Sequence, residues 1–461
     1  MLRIDENIRA ADLIPAIERM WEISARKILD IEATWPVDAG APVVTAQGKY
    51  TTRGWTEWTQ GFQFGSALLQ FDATGDEQFL KIGREATRTR MASHVTHFGV
   101  HDHGFNNVST YGNLWRLMND GRIPENVPER DFYELALKAS GAVQAKRWTR
   151  TVDGDGFIYS FNGPHSLFAD TIRSLRSLAL AHQLGHVLLD EQDTRISLLD
   201  RLLQHALNTY KYSVYYGERR DSYDCPGRVA HESIFNTDTN SGEYRCPNSQ
   251  QGYSPFTTWT RGLAWIMLGF AEQLEFCLSL DSEVAESNEV MDCEKRMLRA
   301  ARSTSEFYIE NCPTDGVPYW DTGAPGLAHM DSYLDKPADP YNDYEPIDSS
   351  AAAIAAQGMI RLGHWLEING DADGGSLYQK AGLTVARNLL SSRYISEDPA
   401  HQGLLLHSVY HRPNGWDYIP EGRKVPCGES SMWGDYHLRE LALTIQRMAE
   451  GKYYTFFGTS S

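Results

Sequence analysis

Much of what this sequence can do is limited by what it lacks. No two of its six cysteines (Cys225, Cys246, Cys277, Cys293, Cys312, Cys427) stand in CxxC spacing. A zinc site built on thiolates is therefore not expected, and reduced, structural thiols are. No basic run offsets 61 acidic against 43 basic residues, and the formal charge of −18 argues against nucleic-acid binding, which needs cations against phosphates. No apolar run approaches the roughly 18 residues of a membrane span. The N-terminus, MLRIDENIRAADLIPAIERMW, scatters charges where a signal peptide is continuously apolar. The chain reads as soluble, unexported and cytoplasmic, with no membrane partner. No Pro/Ser-rich linker or low-complexity block divides its 461 residues, so one domain over 1–461 is expected, although length alone would allow two or three.

What is present is helical periodicity. Apolar residues recur every three or four positions in DLIPAIERMWEISARKIL, RDFYELALKASGAV and VMDCEKRMLRAARSTSEFYI, the spacing of one helix face. The 12 Trp and 23 Tyr often neighbour glycine, a mixture that suits core packing and carbohydrate clefts alike. A looser phrase also repeats, in which a Gly, Asp or aromatic head precedes a run of small and apolar residues. It occurs as WTQGFQFGSALLQF from Trp58, HDHGFNNVSTYGNLWRL from His101 and FADTIRSLRSLALAHQLG from Phe168. It recurs as WTRGLAWIMLGFAEQL from Trp259, DSSAAAIAAQGMIRLG from Asp348 and WGDYHLRELALTIQ from Trp433. These runs are small or apolar on nearly every side, as helices buried on several faces are. Each interval has room for a second, ordinarily amphipathic helix. Six buried helices alternating with six half-exposed ones describe an all-α (α/α)6 toroid of six helical hairpins, its inner helices starting on one rim.

Two of those heads carry an aspartate. In HVTHFGVHDHGFNN, Asp102 lies between His101 and His103; in SLFADTIRSL, Asp170 follows Leu167, Phe168 and Ala169. Aspartate is a favoured N-cap, so both could be ordinary caps. Yet a cap needs one small polar group, not three consecutive titratable ones, and the other heads on that rim are polar too. A metal is not expected, because three consecutive side chains at a helix start point in different directions. The remaining chemistry is that of paired carboxylates, which cleave glycosidic bonds when one is protonated and the other charged. An apolar wall favours the neutral form, so residue type suggests Asp170 as the acid and Asp102 as its charged partner.

The ordered set HDHGF, FADTIRSL, QGYSPFTTWTRGLAW, GVPYWD, IDSSAAAIAA and WGDYHLREL resembles the unsaturated glucuronyl hydrolases of glycoside hydrolase family 88, from about Trp58 to the C-terminal WGDY. The unsaturated rhamnogalacturonyl hydrolases of family 105 share fold and chemistry and are the nearest alternative. The resemblance implies hydration of the C4=C5 vinyl ether that polysaccharide lyases leave on a terminal uronic acid. The substrate would be an unsaturated oligosaccharide, mostly a disaccharide, and no cofactor is implied. Asp170 would protonate C4 and activate the water that adds at C5, with Asp102 as its essential partner. His101 would contact the unsaturated ring, and Gln251 and Arg261 would donate to the uronate or its neighbour. Trp58, Trp259 and Trp265 are candidate walls, and His231 is the best match to a family histidine. The alignment there is disturbed by an insertion around FNTDTNSGEYRC. Two positions depart from the pattern: Phe161 stands where a Trp is usual, and Gln250 where a His is common. Both lie toward the departing sugar. Sugar 2-epimerases on the same fold, which use histidine pairs, and a non-catalytic carbohydrate-binding role are the competing readings. Parent polysaccharide and oligomeric state are not legible.

Overall fold

The computed structural model describes residues 1–53, 57–218, 222, 224–237 and 241–458. The insertion noted above falls partly outside them, at 238–240. Among the described residues, six inner helical runs alternate with six outer helices. The outer set is α1 (Ile14–Thr34), α3 (Glu77–Arg90), α6 (Val127–Lys146), α9 (Leu198–Tyr212), α11 (Asn288–Asn311) and α13 (Ala372–Leu389). The inner set is α2 (Gln60–Thr74), the broken pair α4 (His103–Asn107) and α5 (Asn113–Asn119), the pair α7 (Thr171–Ser174) and α8 (Arg176–Gln183), α10 (Thr260–Cys277), α12 (Ser349–Ile368) and α14 (Met432–Ala449). Each inner run packs on the next, and α14 returns to α2, which closes an (α/α)6 toroid. All six repeated heads fall where an inner helix begins. No described helix is long and apolar enough to cross a membrane.

Burial follows the two kinds of sequence. Every residue of α10 is buried. In α11 only one face is, through Val290, Cys293, Met297, Ala300, Ala301 and Thr304, the three- and four-residue spacing of an amphipathic helix. The helix starts differ as well. Side chains of Asp76, Asn126, Ser197, Ser287 and Asp371 cap the outer helices α3, α6, α9, α11 and α13. Of the inner starts, Asp348 and Ser431 cap, whereas Thr59, Asp102, Asp170 and Trp259 do not. The inner rim therefore keeps polar side chains available for other work.

Small residues let the inner helices approach closely. A Cβ on Gly104 would lie 2.3 Å from the Ser174 Cα and 2.9 Å from the Arg173 carbonyl oxygen. That is backbone, which cannot swing aside. The glycine of HDHGF is thus what lets α4 lie against α7, bringing the two aspartate heads together. Beneath the rim, charge is buried in pairs. Arg173 donates to both oxygens of Glu272 at 2.9 and 3.0 Å and to Glu440 at 2.9 Å, and also meets His437. Arg176 donates to the Gly104 carbonyl at 2.7 Å. Burial alone would raise the Glu272 and Glu440 carboxyls, but Arg173 and Arg176 outweigh it and hold both below the usual range.

A small antiparallel sheet, not foreseen from the sequence, flanks the third inner run. Its strands are β1 (Ser166–Phe168), β2 (Glu232–Asn236) and β3 (Glu243–Asn248), in that order. Phe168 pairs with Glu232, and the Ala169 N–H donates to the His231 carbonyl at 2.9 Å. This fixes Asp170 beside His231.

Candidate active site

A cavity of about 620 Å³ opens on the rim where the inner helices begin. Eight of the nine site residues expected from sequence line it: His101, Asp102, Asp170, Gln251, Arg261, Trp58, Trp259 and Trp265. His231 lies one layer behind.

Asp102 and Asp170 hold N-cap positions, yet neither side chain caps. Both turn to one imidazole. His101 Nε2 lies 3.2 Å from Asp170 Oδ1 and 3.8 Å from Asp102 Oδ1, which together keep the carboxyls inside the roughly 10 Å that working carboxylate pairs span. The Phe161 N–H donates to His101 Nδ1 at 3.3 Å, so the neutral ring carries its proton on Nε2, toward the acids. Phe161 also stacks on that ring, 5.9 Å between centroids. His103 turns the other way into the core, with Nδ1 at 2.9 Å from Ser140 Oγ and Nε2 donating to the His97 carbonyl at 3.0 Å. Burial pushes its pKa down to about 4. HDHGF thus divides between site and core.

The charges of the trio are coupled. Burial raises the Asp102 carboxyl, the charge of Asp170 adds to the rise, and His101 offsets only part of it. Burial also acts to raise Asp170, but the charge and hydrogen bond of His101 outweigh it and hold that carboxyl below the usual range. His101 itself, disfavoured as a cation by burial, is held above its ordinary value by the two aspartates. Resting charge therefore runs opposite to the order suggested by the apolar run before Asp170. Asp170 ionises more easily and Asp102 keeps its proton longer. The deciding contact is a histidine 69 residues away in sequence, which outweighs the local apolar neighbours.

Arg261 also departs from expectation. Its Nη1 donates to Asp348 at 2.9 Å and to the Val409 carbonyl, and its Nη2 to Gln251 Oε1 at 2.8 Å and the Tyr410 carbonyl at 2.7 Å. The guanidinium lies over Trp259 and Trp433, 4.7 and 4.8 Å from their centroids. With its terminal N–H groups engaged, it orients Gln251 and the chain at 409–410 and offers no open fork to a carboxylate. Gln251, its oxygen held by Arg261, keeps its NH2 for the cavity. His231 accepts the N–H groups of Gln250 and Gln251 on Nδ1 at 3.0 and 3.3 Å, so its proton sits on Nε2, which is buried and has no partner among the described residues. Burial, ahead of nearby charges, pushes its pKa down to about 3, so the ring is neutral. Trp58 donates to the Tyr410 hydroxyl at 3.2 Å and stacks on Trp433, 5.0 Å between centroids. Trp265 packs on Phe105 and His437.

Sequence reasoning missed one wall. Tyr410, His411, Asn414 and Trp416 line the cavity from the chain between α13 and α14, with Arg53 beside them. Asp417 shapes that turn by accepting the N–H groups of Tyr410 and His411. The only local signal is YHRPNGW, aromatics around a Pro-Asn-Gly turn.

No family model matches the chain. It is 24% identical over 386 residues to an unsaturated glucuronyl hydrolase of Formosa agariphila, covering 83% of this chain and 78% of the relative. The unsaturated glucuronyl hydrolase of Bacillus sp. (strain GL1) is 25% identical over 418 residues, covering 89% and 92%. The crystal structure of the Bacillus sp. GL1 enzyme, described as responsible for glycosaminoglycan degradation, superposes with a TM-score of 0.67 at 22% identity over 96% of this chain and 99% of that one. An unsaturated chondroitin disaccharide hydrolase of Streptococcus pyogenes is 25% identical over 414 residues, covering 87% and 84%. Along most of its length and in its toroidal fold, the chain is similar to the unsaturated glucuronyl hydrolases.

Proposed function

We propose that the protein hydrates the C4=C5 double bond of an unsaturated uronic acid at the non-reducing end of lyase-generated oligosaccharides, chiefly disaccharides. Asp170 is the general acid and base and Asp102 its partner. One observation carries this reading: two aspartates at helix starts leave the N–H groups they could cap and converge on His101 inside a cavity. The names of the relatives support the substrate class. The reaction as written calls for no metal or cofactor. We place it in a single catalytic unit over 1–461, acting in the cytoplasm.

The resting charges set the order of proton movement. Asp170 starts ionised and must be loaded before it can protonate C4. His101 in its cationic form, hydrogen-bonded to it through Nε2, is the proton source; charging the ring turns Nδ1 from acceptor to donor and gives up the contact with the Phe161 N–H. A bound uronate adds negative charge beside both aspartates, which raises their proton affinity and draws the proton onto Asp170. After protonation at C4, the Asp170 carboxylate takes a proton from the water that adds at C5. The hemiketal then opens and releases the next sugar. Gln251 NH2, left free on the cavity wall, supplies a donor to an anionic ring.

The test is isotopic. In deuterium oxide the uronate product gains deuterium at C4, and in oxygen-labelled water the label enters at C5. Loss of the enoate's ultraviolet absorbance follows turnover. A saturated glucuronide, with no double bond to protonate, is cleaved poorly. Oxygen label at the anomeric carbon, or equal cleavage of the saturated sugar, shows conventional glycosidic hydrolysis and rejects the proposal.

A pH dependence follows with a definite sign. Because the aspartates hold the His101 proton above the ordinary value of 6.5, the proton source persists past that pH, and the alkaline limb of kcat lies above it. In His101→Gln the source is gone and the limb retreats toward carboxylate values. A limb that stays in place in that variant removes His101 from proton delivery.

A further inference from the structure

Two amides on the cavity wall are locked in opposite senses by buried charges. Gln251 gives its oxygen to Arg261 and shows its NH2 to the cavity. Asn162 is reversed. Its Nδ2 donates to Glu232 Oε1 at 2.9 Å, which leaves Oδ1 on the wall without a protein donor among the described residues.

Glu232 does not let that amide turn. It is 1% exposed and has no cationic partner among the described residues. Its oxygens also accept from Ser166 Oγ and, at 2.6 Å, from Asn248 Nδ2. A carboxylate only accepts, so a flipped Asn162 would set oxygen against oxygen. The wall at Asn162 is therefore an acceptor backed by a buried negative charge. It follows Phe161, the ring stacked on His101, so this acceptor borders the reacting trio on the wall of the same cavity.

Resting on the hydration reading above, we infer that Asn162, oriented by Glu232, selects a free hydroxyl and rejects a sulfate ester on the sugar that leaves. A hydroxyl donates to Oδ1. A sulfate has only acceptors to present, and its charge meets an oxygen wall with Glu232 behind it. Asn162 touches substrate and sets specificity; Glu232 is a positioning residue.

The test uses a matched set of disaccharides, an unsaturated uronate linked to an N-acetylhexosamine, unsulfated or sulfated at either free hydroxyl of the leaving sugar. The wild type prefers the unsulfated form over the worse sulfated one by about tenfold or more in kcat/KM, the size expected when a hydrogen bond is exchanged for a like-charge contact. Glu232→Gln frees the amide to turn and brings that ratio down several-fold. Asn162→Lys, at a half-buried wall position, brings it to one or below. A purely structural role for Glu232 would lower all rates together and leave the ratio unchanged. Equal wild-type rates on all the disaccharides, or an unchanged ratio in the lysine variant, overturn the inference while hydration stands. If the wild type turns over none of them, the hydration reading has failed and the inference falls with it.

Discussion

Asp170→Asn is expected to lower kcat by about 10²- to 10⁴-fold, the range that a positioned acid or base supplies, while binding of the unsaturated disaccharide persists. The substitution keeps the shape of the side chain. It sacrifices no helix cap, because the Asp170 side chain makes none. His101 loses its shortest carboxylate contact, 3.2 Å, and an amide cannot take up and return the proton that C4 requires. Single-turnover rates separate chemistry from release, and calorimetry with the same disaccharide reports binding. Turnover within tenfold of the wild type would remove Asp170 from the reaction. Asp102→Asn is a useful contrast, since burial and the charge of Asp170 raise the Asp102 carboxyl and its loss alters the charge felt by the other two.

The second large effect is on stability. Arg173→Met removes the cation that binds Glu272 twice and Glu440 once, all with side chains essentially inaccessible to water. Breaking one side of a buried ion pair costs about 3–5 kcal/mol, because an uncompensated charge remains in the interior. Arg176, 3.5 Å from Glu272 and 3.9 Å from Glu440, is then the one nearby arginine left for two buried carboxylates, so one of them stays uncompensated. The same helical turn carries Asp170, so activity should fall along with the unfolding midpoint. Replacing Arg173 and Glu440 together by apolar residues of similar volume should cost less than Arg173→Met alone, since Arg176 then remains to pair with Glu272 and no buried charge is orphaned. Denaturant unfolding measures both. A cost below about 1 kcal/mol for the single change, in the range of an exposed pair, would show the network to be dispensable.

The ring was legible because its inner helices break the ordinary rule of amphipathicity. DSSAAAIAAQGMIRLG and WTRGLAWIMLGFAEQL are buried all round, and their repetition marks the rim. Less legible was the second inner run. It passes through a π turn at Val108–Gly112, and wide turns of this kind carry no composition of their own. The three-residue strand Ser166–Phe168 is too short for alternation to declare it. At the site, the polarity of the helix heads draws attention to the aspartates, but the balance between them is not legible from their neighbours in sequence, because the group that lowers Asp170, His101, arrives from another hairpin. Arg261 shows the same limit: its residue type suggests a fork for a carboxylate, while Asp348 and the carbonyls at 409–410 already occupy it. The wall from Tyr410 to Trp416 has no period to read. It stands where it does because Asp417 gathers its backbone and Tyr410 packs on Trp433.

The toroid closes where α14 meets α2, and the Tyr50 hydroxyl donates across that seam to Asp435 at 2.8 Å. A nascent chain that has not yet delivered this helix already contains both aspartates and His101, but it is an open arc. It lacks Glu440 for Arg173 and Trp433 behind Trp58 and Arg261. Competence should therefore depend on delivery of this one helix and not build up hairpin by hairpin. A protease cut that releases this one helix should silence a reaction whose acids lie at the far end of the sequence.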